Sequence, residues 1–295
     1  MSYLIAVTVL WAFSFSLIGE VLAGEVDNYF AVLTRIVLAA LVFLPFLRRR
    51  GLAGRDCLAL MGLGAVQLGV MYVFFYQSFL LLTVPEVLLF TIFTPVYVAL
   101  LDDALEGRFH GRHLVTAGLA VLGAAVIRYR NPESAFWLGF LVVQGANLCF
   151  AAGQVGYRRL SRRLPAALPG HATFGWFYLG ALVPAVLAFV LFGEAGRMPT
   201  TVGQWLVLLW LGVVASGLGY FLWNRGATQV DAGTLAVMNN ALIPAGLLVN
   251  LLIWGREADL LRLSIGAAIL GGALWYGLRG GRGTVGSARP DPARA

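Results

Sequence analysis

Ten apolar runs follow one another along this 295-residue chain, near residues 3–21, 29–47, 57–80, 84–101, 113–128, 135–156, 172–192, 203–223, 232–254 and 263–278. A bilayer core of about 30 Å is crossed by about 20 helical residues, so about 28 residues per crossing and loop leave room for about ten spans. A soluble fold offers nowhere to put so much apolar surface. The hydrophobic share is 60%, charged residues make up only 12%, and mean hydropathy is +0.83, against about a quarter charged in soluble domains. Lipid is the second solvent this composition demands. Backbone polar groups in hydrocarbon must be satisfied within the segment, so the spans are expected to be helices and the fold an all-α integral membrane protein. The third run is long enough to tilt or to hold a break. The first lacks a basic leader and a clear cleavage site, and is expected to remain a span.

The net charge of +7 reads as topology. All 21 basic residues are arginines, placed in short clusters between apolar runs, whereas a nucleic-acid binder gathers them on one soluble face. Sorted over alternate loops, 15 arginines fall on one side, 5 on the other, and Arg35 alone lies within a span. Positive residues concentrate on the cytoplasmic side, so both termini are expected to be cytoplasmic, with residues 281–295 a disordered cytoplasmic tail. Cys57 and Cys149 read as small apolar residues rather than a redox or metal pair. Trp205 and Trp223, 18 residues apart, are expected to mark the two interfaces of the eighth span.

An internal repeat divides the chain. Pro95 is followed by Glu106, Gly118 and Gly123, and Pro244 by Glu257, Gly266 and Gly271, at nearly equal spacings. The duplicated unit holds five spans, an odd number, so the second copy is expected to sit inverted relative to the first. Residues 1–130 and 131–280 form the expected halves. A proline inside a span withholds a donor from the carbonyl one turn earlier, here at Thr91 and Asn240, and matched helix breaks at Pro95 and Pro244 point to a binding site between halves. Candidate substrate contacts are the polar and aromatic side chains that hydrocarbon would not tolerate unpaired: Trp11, Ser14, Tyr72, Tyr76, Gln77, Thr91, Gln144, Asn147, Tyr220, Asn224, Asn239 and Asn240. Interhelical hydrogen bonding is their alternative role. Arg35 is expected either to snorkel or pair with Glu20 or Glu86, or to act as an outer gate or an anchor for a substrate carboxylate. Small-residue pairs such as Ala267 with Gly271 suit helix packing in a monomer or a homodimer.

Leu10-Trp11-Ala12, Arg35 with Leu38-Ala39-Ala40, and the paired stretches from Pro95 through Glu106 to Gly118–Gly123 and from Pro244 through Glu257 to Gly266–Gly271 together resemble the drug/metabolite transporter superfamily, specifically its EamA-type members. The resemblance covers nearly the whole chain. It implies ten transmembrane helices as two inverted five-helix repeats, cytoplasmic termini, a multi-pass place in a bacterial inner membrane, and a central cavity for small metabolites.

Function follows as alternating access by a secondary-type transporter of an amino acid, amine or carboxylate-like solute, through a polar and aromatic cavity. An amino acid is the favoured example, because the expected lining mixes Tyr and Trp with Gln and Asn. No nucleophile–base pattern, metal-ligand spacing or phosphate loop is present, so neither catalysis nor a cofactor or metal is expected. The alternatives are an intramembrane enzyme acting on a lipid or isoprenoid, and a proton-coupled drug or cation exporter. The exporter would need a buried carboxylate, and none stands at mid-depth of a run.

Overall fold

The computed structural model describes residues 1–107, 122, 134–165, 169–230, 232–255, 261, 264–265, 268–269 and 271–272. Eight helices long and apolar enough to cross a membrane lie within these. They are the first span Ser2–Leu22, the second Asn28–Phe46, the third Gly54–Ser78, the fourth Val84–Leu105, the sixth Ser134–Ser161, the seventh Gly170–Phe192, the eighth Val202–Ala227 and the ninth Ala232–Trp254. The fifth and tenth runs, apart from isolated positions, lie outside the described residues, as do Glu257, Gly118, Gly123, Gly266 and the tail.

Local chemistry sets where spans begin. Asp27 caps the second span, accepting from the Phe30 amide at 2.7 Å. The fourth opens on a capping box in which the Thr83 amide donates to the Glu86 carboxylate at 2.8 Å, and the eighth on the matching pair Thr201 and Gln204. These side chains satisfy amides that the first turn leaves without partners.

The helix interiors depart from regularity at specific places. A π-helical turn occupies Ala65–Val70 in the third span and Leu211–Leu218 in the eighth, and each is followed two residues on by a tyrosine, Tyr72 or Tyr220. The break expected near Pro95 is present as a 3-10 turn, Thr91–Phe93. Pro95 cannot donate to Thr91, and the Thr94 amide bonds the Thr91 carbonyl instead. The neighbouring Phe90 carbonyl also accepts from the Asn147 side-chain amide at 2.8 Å. Pro244 behaves differently from the expectation. It sits inside the continuous helix Ala232–Trp254, as Pro184 sits inside the seventh span. A proline need only bend a helix when the surrounding packing tolerates the missing bond.

Packing follows the small residues. The third span lies against the seventh so closely that a Cβ on Gly64 would stand 1.8 Å from the Phe177 carbonyl oxygen, and one on Gly180 would stand 1.9 Å from that of Met61. The second span packs on the seventh and eighth, the first on the eighth and ninth, and the fourth on the sixth and ninth. On the surface, Leu41, Val190 and Leu252 are among many exposed aliphatic side chains, as a lipid-facing exterior requires. Near one end of the bundle Arg159 bridges Asp102 at 3.1 Å and Glu106 at 3.8 Å, tying the sixth span to the fourth.

Candidate substrate cavity

One cavity, with about 650 Å³ of empty space counting its open mouth, is enclosed by residues of the first, second, third, fourth, sixth, eighth and ninth spans. Of the sequence-derived candidates, Trp11, Ser14, Arg35, Tyr72, Thr91, Asn147, Tyr220 and Asn239 line it. Three others bond to residues of the lining or to their backbone. Tyr76 buttresses Arg35, Gln144 receives a hydrogen bond from the Asn147 amide at 3.1 Å, and Asn224 donates back to the Tyr220 carbonyl at 3.0 Å. Gln77 and Asn240 are not in the lining.

Arg35 is the electrostatic centre of the cavity. It is 2% exposed, and three neutral oxygens hold its guanidinium. Nε donates to Ser216 Oγ at 3.0 Å, Nη1 to the Tyr76 hydroxyl at 3.0 Å and Nη2 to the Tyr72 hydroxyl at 2.9 Å. Tyr72 and Ser216 are themselves joined at 2.8 Å, and Cζ lies 4.3 Å from the centre of the Tyr72 ring. The expected pairing with Glu20 or Glu86 is not what the structure gives. Glu86 faces Thr83 in its capping box, and Glu20 Oε1 lies 3.4 Å from the Asn250 amide. No carboxylate among the described residues stands within 4.0 Å of the guanidinium. A guanidinium carries five N–H donors. Three are engaged here, which leaves one N–H on each terminal nitrogen for a further acceptor such as a carboxylate.

An aromatic wall extends away from the arginine. The Tyr72 and Tyr220 rings meet edge to face at 5.7 Å, Tyr220 lies 4.9 Å from Trp11, and Trp11 lies 5.0 Å from Trp223. The π-helical turn of the eighth span fixes this wall. A wider turn frees backbone carbonyls, and those of Ala215, Ser216 and Gly217 accept from the Trp11 indole at 2.9 Å and from the Tyr178 hydroxyl at 2.8 and 2.6 Å. Trp223 corrects the interface reading. It is 1% exposed and lines the cavity, whereas Trp205 is 48% exposed. Spacing along a helix sets depth but not face. Sequence reasoning also passed over Phe15, Met71, Phe75, Phe150 and Leu242, whose apolar side chains carry no signal that separates a cavity wall from lipid.

Together these features define a class: a multi-pass membrane protein with a charged, aromatic cavity among its spans. The comparisons agree with that class and narrow it. The chain belongs to the EamA-like transporter family, within the drug/metabolite transporter superfamily. The family's model matches residues 1–129. A Pseudomonas aeruginosa protein named a probable biotin transporter is 57% identical over 282 residues, 96% of this chain and 99% of that one. The biotin transporter of Escherichia coli K12 is 53% identical over 276 residues, 93% of this chain and 92% of its own, and that of Salmonella typhimurium is 52% identical over the same length. A solved crystal structure 19% identical in sequence superposes with a TM-score of 0.65 over 95% of this chain and 99% of its own, a likeness of fold. The protein is a transporter of a small solute, and not an enzyme.

Proposed function

We propose that this transporter carries biotin or a close chemical relative, an apolar monocarboxylate with a polar ring. The observation that carries the reading is Arg35, a buried cation on the cavity wall with two free donors and no counter-charge among the described residues. A buried charge without a partner costs several kcal/mol, and a substrate carboxylate offsets that cost in the loaded state. The relatives' printed names support the same solute. An amino acid, the example favoured from the sequence, fits less well, and so does an amine. Its ammonium would meet a guanidinium and no acidic side chain among the described lining residues. The same cavity chemistry weighs against a drug-cation exporter.

In this reading two inverted five-helix repeats, residues 1–130 and 131–280, rock about the cavity to expose it alternately to each side. The matched π-helical turns of the third and eighth spans support that plan. The excess of arginines on one set of loops supports cytoplasmic termini in a bacterial inner membrane.

Uptake of labelled solutes into proteoliposomes tests the proposal. Biotin is expected to accumulate above protein-free vesicles, and excess unlabelled desthiobiotin to compete. Competition by amino acids or amines, with none by biotin, would overturn it.

A further inference from the structure

Two indoles lie in contact in the cavity wall, Trp11 and Trp223, with ring centres 5.0 Å apart. Their N–H groups are treated differently. Trp11 Nε1 donates to the Ala215 carbonyl at 2.9 Å, whereas Trp223 Nε1 is buried and has no acceptor among the described residues. An indole N–H has no other way of being satisfied, since it donates only, and a buried donor left unmade is costly. The residue is 1% exposed, and the lining also holds Asn239, whose amide offers both a donor and an acceptor. Trp223 stands at the end of the aromatic run from Arg35 through Tyr72, Tyr220 and Trp11.

We propose that Trp223, with Asn239, is the specificity end of the cavity and receives the urea group of the substrate, the carbonyl oxygen accepting from the indole N–H and a ring N–H donating to the Asn239 amide oxygen. The solute then lies with its carboxylate on Arg35 and its alkyl chain along the aromatic wall. This rests on the biotin reading and deepens it, because it fixes which end of the molecule is recognised and where.

Equilibrium binding of labelled biotin to purified protein is the test, with three competitors: desthiobiotin, which keeps the urea; 2-thiobiotin, whose C=S accepts hydrogen bonds poorly; and lipoate, which shares the carboxylated chain and lacks the urea. Wild-type protein is expected to hold 2-thiobiotin about five to ten times more weakly than biotin, the worth of one buried hydrogen bond. Trp223→Phe keeps an aromatic ring and removes the donor. It is expected to weaken biotin and desthiobiotin by the same factor, to erase the preference over 2-thiobiotin, and to leave lipoate unchanged. A folded Trp223→Phe protein that keeps both biotin affinity and the preference overturns the inference, and so does an equal loss for lipoate. Wild-type protein that does not distinguish biotin from 2-thiobiotin also overturns it, whatever the variant's folding. Those three results leave the biotin reading standing, whereas wild-type protein that binds no biotin at all overturns both.

Discussion

Exchange of Arg35 for glutamine is expected to lower biotin uptake by about a hundredfold or more while the protein still inserts and purifies as a single species. Glutamine retains an amide that can donate to the Tyr72 or Tyr76 hydroxyl, so the neutral oxygens around it are not abandoned, but the positive charge and the two unengaged N–H donors are gone. Removing one partner of a buried charge pair costs about 3–5 kcal/mol, and about 2.7 kcal/mol already corresponds to a hundredfold change in affinity. The loss is specific to charge. Uptake of the uncharged biotin amide, weak in the wild type, is expected to change little in Arg35→Gln. Labelled-solute uptake in proteoliposomes of matched protein content measures both. If biotin uptake survives the exchange, Arg35 is a structural residue held by Tyr72, Tyr76 and Ser216, and the carboxylate assignment fails.

The second large effect concerns assembly rather than transport. In lipid, helices gain little from burying apolar surface against one another and depend on close contact of small residues. Gly64 and Gly180 stand where the third and seventh spans touch backbone to backbone, with any added Cβ inside 2 Å of a carbonyl oxygen. Overpacking of a core costs about 1–3 kcal/mol where flexible side chains can yield, and here the obstacle is main chain. Gly64→Leu and Gly180→Leu are therefore expected to leave little monodisperse protein after detergent extraction. Gly62, on the same helix, faces open space within 4 Å, so Gly62→Leu is expected to behave as wild type. Size-exclusion yield and thermal midpoint read the comparison. Normal behaviour of Gly64→Leu would mean that the two spans are not packed in this way.

The sequence made the spans legible because lipid enforces their length and composition. The eight described helices begin and end close to the apolar runs that suggest them, from Ser2–Leu22 to Ala232–Trp254. Arg35 was legible as an exception to that composition, but its partners were not. Tyr72, Tyr76 and Ser216 lie 37, 41 and 181 residues away, and nothing local in the chain distinguishes them from Glu20 or Glu86 as neighbours. The π-helical turns left no compositional mark, since Ala65–Val70 and Leu211–Leu218 read as ordinary apolar helix. Trp223 and Asn224 show the limit for individual side chains. Adjacent residues on a helix point about 100° apart, so one enters the cavity wall while the other turns to its own backbone.

The contact of a solute carboxylate with Arg35 is decided by the binding of biotin and its neutral amide to the purified wild-type protein, measured by equilibrium competition at one pH. Removing the charge of the ligand, with every other atom nearly unchanged, is predicted to weaken binding by at least tenfold, about 1.4 kcal/mol. Equal affinity for the acid and the amide would contradict it.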